Sequence, residues 1–158
     1  RAMAERVLFV CLGNICRSPT AEAVFRQRVQ AAGMTGQIDI DSAGTGDWHI
    51  GKAPDRRSQQ FAARFGYDLS PLRARQVSEE DFREFDYILA MDLANLADLQ
   101  AIQPPDSRAR LELFLTYSEA DEDEVPDPYY GGDEGFLRVL QLVESASDGL
   151  LQTLRGES

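Results

Sequence analysis

An uninterrupted apolar run, Val7 to Val10, leads through a short loop straight into a helical pattern, and this junction restricts the fold more than any other stretch. A strand apolar on both faces reads as the buried strand of a parallel sheet, which needs helices on either side. The same alternation continues. Residues 18–33 carry Ala21, Val24, Phe25, Val29 and Ala32 at helical spacing, with Gly33 as the stop. Ile38 to Ser42 alternates as a short strand ending in Ala43-Gly44-Thr45-Gly46, and Asp55 to Phe65 reads as a helix stopped by Gly66. Phe85 to Met91 is a second apolar strand, followed by a helix over Leu93 to Ile102 that Pro104-Pro105 terminates. Leu111 to Leu115 is a further strand. Asp133 is expected to cap a long last helix with Phe136, Val139, Leu140, Val143, Leu150, Leu151 and Leu154 on one face.

Strands alternating with helices predict a single three-layer α/β domain over residues 1–158, with a central four-stranded parallel sheet flanked by helices. A chain of this length suits one domain and buries about 68–70% of its unfolded surface. Residues 1–5 read as a disordered lead or an expression remnant, given Arg1-Ala2 before Met3. In sheets of this kind ligands bind beyond the carboxyl ends of the strands, where the strand order reverses. The first strand ends at Cys11, so the fold rule points to the loop that follows.

That loop has the form Cys11-x5-Arg17-Ser18. It is short enough for successive N–H groups to converge on one point, toward which the next helix also aims its positive end. Arg17 adds a planar fork able to hold two phosphate oxygens. Cys11 would lie beneath a bound phosphate, and every feature that binds the anion also favours a thiolate, the only reactive form. The phosphate-binding residues are therefore Leu12, Gly13, Asn14, Ile15, Cys16, Arg17 and Ser18. Gly13 permits close approach of backbone, and Asn14 either tolerates an unusual dihedral or pins the loop by its side chain. Ser18 either donates a hydrogen bond to the sulfur or caps the helix ahead of Pro19.

Composition removes competing chemistries. Two cysteines and one histidine, His49, make neither a disulfide framework nor a structural zinc site, and no third group near His49 suggests a Cys–His protease. No cofactor and no metal are called for. A net charge of −11 argues against nucleic acid or an anionic membrane as partner, so attraction for phosphate must be local. The acidic run Glu119 to Glu124 reads as a solvated loop. No apolar run approaches the roughly 20 residues of a membrane span. With no signal-peptide pattern, a cytoplasmic setting is expected, and a monomer or weak self-association.

The segments C-L-G-N-I-C-R-S-P-T-A-E-A-V-F-R (11–26), D-S-A-G-T-G-D-W-H (41–49), F-D-Y-I-L-A-M-D (85–92) and D-P-Y-Y-G (127–131) together resemble the low-molecular-weight protein tyrosine phosphatases. The resemblance covers essentially the whole chain. It implies a hydrolase acting on tyrosine-phosphorylated proteins through a phosphocysteine on Cys11, with Asp127 as general acid and then base. It also implies a substrate rim of Leu12, Trp48, Tyr129 and Tyr130, deep enough for a phenyl phosphate but too deep for phosphoserine. Trp48 could instead pack in the core, and the tyrosines are phosphorylated in some relatives. Cys16 is implied as a redox partner for Cys11; its other reading is a small buried apolar residue. Ser18 and Ser42 are implied as loop supports. Relatives often carry a histidine that braces the loop before A-R-Q (74–76), where this chain has Leu72, leaving Ser42 alone or water for that task.

Three alternatives are set against this reading. An arsenate reductase of the same fold needs further cysteines to relay a disulfide. A protein arginine phosphatase of the same fold carries Thr where this loop has Ile15. A non-catalytic phosphotyrosine-binding module could discard Cys11 or Asp127 and keep Arg17, yet all three are present.

Overall fold

The computed structural model describes residues 5–128 and 132–156. Four parallel strands, β1 (Glu5–Cys11), β2 (Ile38–Gly44), β3 (Tyr87–Ala90) and β4 (Arg110–Leu113), form one sheet in the order β2-β1-β3-β4. The helices are α1 (Arg17–Ala31), α2 (Arg56–Arg64), α3 (Asp81–Glu84), α4 (Leu93–Ile102) and α5 (Asp133–Leu154), with a 3-10 turn at Phe114–Tyr117 after β4. The chain leaves β1 for β2 on one side and then crosses to β3 on the other. The strand order thus reverses at β1, and Cys11 is its last residue.

β1 shows why a continuous apolar run was needed. Successive side chains point to opposite faces. Val7, Phe9 and Cys11 join a core with α1, α2 and α5, while Leu8 and Val10 join a second core with Phe82, Phe85 and Leu99 on the other side. The first core is built around Phe9, fully buried and edge-on to Phe25 (ring centroids 5.7 Å) and Phe114 (4.9 Å). α5 packs along α1, carrying Phe136, Val139, Leu140, Val143 and Leu150 inward. Gly149 lets α5 lie against the 3-10 turn, since a Cβ there would meet the Tyr117 carbonyl oxygen at 1.8 Å.

Several boundaries differ from the sequence expectation. Glu5, expected in a disordered lead, opens β1 and pairs with Ile38. β2 runs on through Gly44, whereas β3 is confined to Tyr87–Ala90. α5 begins at Asp133 with Gly132 in the cap position, so Asp133 is a first-turn acid rather than the cap. α3 was not foreseen: a single turn has too few residues for periodicity to register. Asp55 caps α2 by accepting from the Ser58 N–H (3.0 Å). Among the described residues no helix is long and apolar enough to cross a membrane.

Phe9→Ala removes the ring at the centre of the larger core and is expected to cost about 3–5 kcal/mol. Urea denaturation checks this: the midpoint should fall sharply with an unchanged slope.

Candidate active site

β1 delivers Cys11 and the start of α1 delivers Arg17, and the five residues between them must turn within that span. The turn is made at Asn14, whose φ of 56° lies in the left-handed region that Asn tolerates better than most residues. In this conformation the Asn14 N–H points back to the Cys11 sulfur (3.3 Å). The Ser18 hydroxyl lies 3.0 Å from the same sulfur. Ser18 is the second residue of α1, and Cys16 holds the cap position without a side-chain capping bond. Of its two candidate roles, Ser18 takes the one facing the sulfur.

Asn14 combines both of its candidate roles. Its Nδ2 donates to Ser18 Oγ (2.8 Å) and to Ser42 Oγ (3.0 Å), and its Oδ1 accepts from the Arg75 N–H (3.0 Å). Support for the loop therefore does not fall to Ser42 alone. Leu72, at the position of the missing histidine, is a partly buried side chain packed against the larger core. The segment after it does the bracing through main chain: the Gly44 N–H donates to the Arg75 carbonyl (2.8 Å) and the Val77 N–H to the Gly44 carbonyl (2.8 Å). Gly44 is also where backbone approaches backbone, because a Cβ there would lie 2.6 Å from the Leu12 carbonyl oxygen. Sequence reasoning assigned that role to Gly13. A Cβ at Gly13 would instead meet the His49 ring at 3.0 Å.

Arg17 is almost fully buried, and its Nη1 donates to the Asp92 carboxylate (2.6 Å) and the Val125 carbonyl (3.0 Å). Burial works against the guanidinium charge, but Cys11, Asp92 and Asp127 outweigh it and leave the Arg17 pKa raised. The other Asp92 oxygen caps α4 by accepting from the Asn95 N–H (2.7 Å). Sequence reasoning did not single out Asp92. The available signal was an acid directly after an apolar strand, at the carboxyl edge of the sheet beside β1.

Two tethers fix the approach to Asp127. The Val125 N–H donates to the Met91 carbonyl (2.8 Å), and the Leu93 N–H donates to Glu124 (2.9 Å). The acidic run is largely exposed as expected, yet Glu124 also anchors it to α4. Pro128 is buried beneath the start of α5.

These elements enclose a cavity of about 300 Å³ lined by Cys11, Leu12, Gly13, Ile15, Cys16, Arg17, Trp48, His49 and Asp127. Trp48 is 63% exposed, which puts it at the rim and not in the core, and Leu12 is also exposed. Its indole lies over Gly46, where a Cβ would clash at 1.7 Å. His49 was not expected here; its place next to Trp48 was the only hint. The side chains of Asn14 and Ser18, both expected among the phosphate-binding residues, are buried and turned to each other, and neither residue lines the cavity. Tyr129 and Tyr130 lie outside the described residues. Cys16 is buried, its thiol pushed up to about 12 chiefly by that burial, and both cysteines are free.

The family model for low molecular weight phosphotyrosine protein phosphatase matches residues 6–158. The chain belongs to that family. It is 50% identical over 148 residues to the low molecular weight phosphotyrosine protein phosphatase of Schizosaccharomyces pombe, covering 92% of this chain and 94% of that one. A crystal structure of a protein tyrosine phosphatase from Entamoeba histolytica, with Hepes in its active site, superposes with a TM-score of 0.93 at 39% identity, over 97% of this chain and 98% of that one. A crystal structure described as a drosophila arginine phosphatase superposes with a TM-score of 0.89 at 33% identity, over 96% of this chain and 99% of that one. The low-molecular-weight phosphatase fold thus hosts more than one named specificity.

The two cysteines should separate by reactivity. Both cysteines are buried and line the same cavity. The Cys16 thiol is pushed up to about 12 and stays protonated at neutral pH, whereas Cys11 has the Asn14 N–H and the Ser18 hydroxyl at its sulfur. Limiting iodoacetamide at pH 7 is therefore expected to label Cys11 ahead of Cys16. Peptide mass spectrometry of the alkylated protein checks this.

Proposed function

We propose that this protein hydrolyses phosphotyrosine on protein substrates, and small aryl phosphates, through a phosphocysteine intermediate on Cys11. The observation that carries the reading is the shared cavity lined by Cys11, Arg17 and Asp127, with the Asn14 N–H and Ser18 hydroxyl turned to the sulfur. In the transition state charge spreads over three equatorial oxygens, while the attacking and leaving atoms lie in line. The N–H groups between Leu12 and Arg17 and the Nε and Nη2 donors of Arg17 would hold those oxygens. Because Nη1 is already committed to Asp92 and Val125, the guanidinium is fixed before substrate arrives.

Cys11 attacks phosphorus and the P–O bond to the phenol breaks. Asp127 supplies the proton to the departing oxygen, a contribution of typically about 10²–10⁴-fold. The same carboxylate then takes a proton from water as the water oxygen attacks phosphorus, releasing inorganic phosphate and the Cys11 thiolate. Trp48 and Leu12 form the described part of the aromatic slot. Tyr129 and Tyr130 complete it in this proposal. Phosphoarginine is the second reading, favoured by the arginine phosphatase neighbour; Ile15 on the cavity wall, where that branch carries Thr, is the feature weighed against it.

A redox role for Cys16 is proposed on the same cavity. Peroxide would oxidise the Cys11 thiolate to a sulfenic acid, and the Cys16 thiol would then displace its oxygen as water to form a disulfide.

Cys11→Ser is expected to abolish para-nitrophenyl phosphate hydrolysis while retaining phosphate or vanadate binding. Turnover persisting in this variant would exclude the phosphocysteine route. Asp127→Asn should slow phenolic esters with poor leaving groups far more than those with good ones, measured as kcat across a series of substituted phenyl phosphates. Equal losses across the series would remove Asp127 as the acid. Side-by-side assay of phosphotyrosine, phosphoarginine and phosphoserine peptides decides the substrate.

A further inference from the structure

The proposed hydrolysis leaves one buried hydroxyl beside the loop unused. Ser58, in the first turn of α2, is 3% exposed, and among the described residues its Oγ has no hydrogen-bond partner. An unpaired hydroxyl in the interior costs stability, so the position calls for an explanation. Two bonds place its main chain. The Asp55 N–H donates to the Ile15 carbonyl (2.8 Å), which docks the start of α2 on the loop residue next to Cys16. Asp55 Oδ2 then accepts from the Ser58 N–H (3.0 Å). The Ser58 hydroxyl is thereby brought to the Cys16 thiol, which is also buried.

Cys16 is where such a donor has work to do. Burial, Asp55, Cys11 and Asp127 all disfavour a Cys16 thiolate and hold its pKa at about 12, whereas the Ser58 hydroxyl acts in the opposite direction. A thiol this weakly acidic attacks slowly at neutral pH, because only the thiolate is the nucleophile. In the proposed oxidation, peroxide transfers one oxygen to the Cys11 thiolate and releases hydroxide. The resulting sulfenic acid is neutral, so the Cys11 charge that opposes a Cys16 thiolate is gone when the second step begins. Cys16 Sγ then attacks Cys11 Sγ, the S–O bond breaks, and the Cys16 proton leaves with the oxygen as water. Negative charge passes through the Cys16 sulfur in this step, and a hydroxyl with no other acceptor can turn its hydrogen to it.

We infer that Ser58 serves the redox step: it donates to the Cys16 sulfur as the disulfide forms, and so sets how often oxidised Cys11 is captured before a second peroxide reaches it. The inference rests on the redox role proposed for Cys16. Ser58 does not line the cavity, so it stands apart from phosphate binding and hydrolysis. A hydrogen bond to a charged group raises the thiolate fraction about ten- to hundredfold. Part of this is lost because a less basic thiolate attacks more slowly, leaving about three- to tenfold in rate.

The test exposes the reduced full chain to hydrogen peroxide at pH 7 and measures, by peptide mass spectrometry, the ratio of Cys11–Cys16 disulfide to Cys11 sulfinic acid. Ser58→Ala is expected to lower this ratio about three- to tenfold. Ser58→Thr, which keeps the hydroxyl, should stay within about twofold of the parent. Before oxidation Ser58→Ala should hydrolyse para-nitrophenyl phosphate like the parent, and peroxide should inactivate the two at the same rate, since the first oxidation does not involve Ser58. A parent-like ratio in Ser58→Ala would overturn the inference. So would equal falls in the Ala and Thr variants, or lost activity in reduced Ser58→Ala, either of which would make Ser58 a packing residue. Absence of any disulfide in the parent would overturn it together with the redox role of Cys16. A parent disulfide with an unchanged ratio in Ser58→Ala would overturn this inference alone.

Discussion

The left-handed backbone of Asn14 is the constraint on which the rest of the site depends. Only a reversal at this residue lets one five-residue loop return an N–H to the Cys11 sulfur and still enter α1 at Arg17. Such a conformation costs free energy in a residue with a Cβ and persists where its surroundings over-determine it. Here they do: the side chain is bonded to Ser18, Ser42 and the Arg75 N–H, and Gly44 leaves the loop backbone room to lie flat against β2. The sheet supplies the foundation. β2 brings Ser42 and Gly44 beside β1 in parallel register, so that Cys11 faces Gly44.

The fold was legible because its signals are local and strong. Continuous apolar strands, helical spacing over residues 18–33 and stops at Gly33 and Gly66 each carry their own physical reason, and both glycines adopt positive φ. Cys11 and Arg17 could be named from sequence because one of only two thiols and an arginine bracket a short loop at a strand-to-helix junction, and Asp127 because the resemblance implied it. What sequence reasoning missed are partners whose meaning exists only in three dimensions. Asp92 is one acid among many until β3 sets it beside the start of α1. Glu22 looks like an ordinary helix-surface residue until β2 covers it and the Ser42 hydroxyl donates to it. Gly44 and Gly13 are indistinguishable as letters, and only packing tells which one a backbone approaches and which one a ring approaches. α3 was too short to have a period at all.

The loop is braced without the histidine that the resemblance led one to expect near position 72. With an aliphatic residue at position 72, main-chain bonds of segment 74–77 and the side chains of Ser42 and Glu22 hold the loop. Backbone donors have fixed polarity whatever side chain they carry. The orientation of Asn14 is thereby protected against most substitutions in that segment.

The pairing of Arg17 with Asp92 has a consequence for the solution behaviour of the site. The buried guanidinium already has its counter-ion in Asp92, so under the proposed chemistry an oxyanion would meet a locally balanced cation rather than a bare positive surface. Screening by dissolved ions acts strongly on exposed charges and weakly on groups held at contact inside the protein. If the site takes an oxyanion as proposed, then in a molecule of net charge −11 its capture would be set by short-range geometry and depend little on ionic strength once the ligand is seated, while the encounter that precedes it would speed up as salt masks the repulsion.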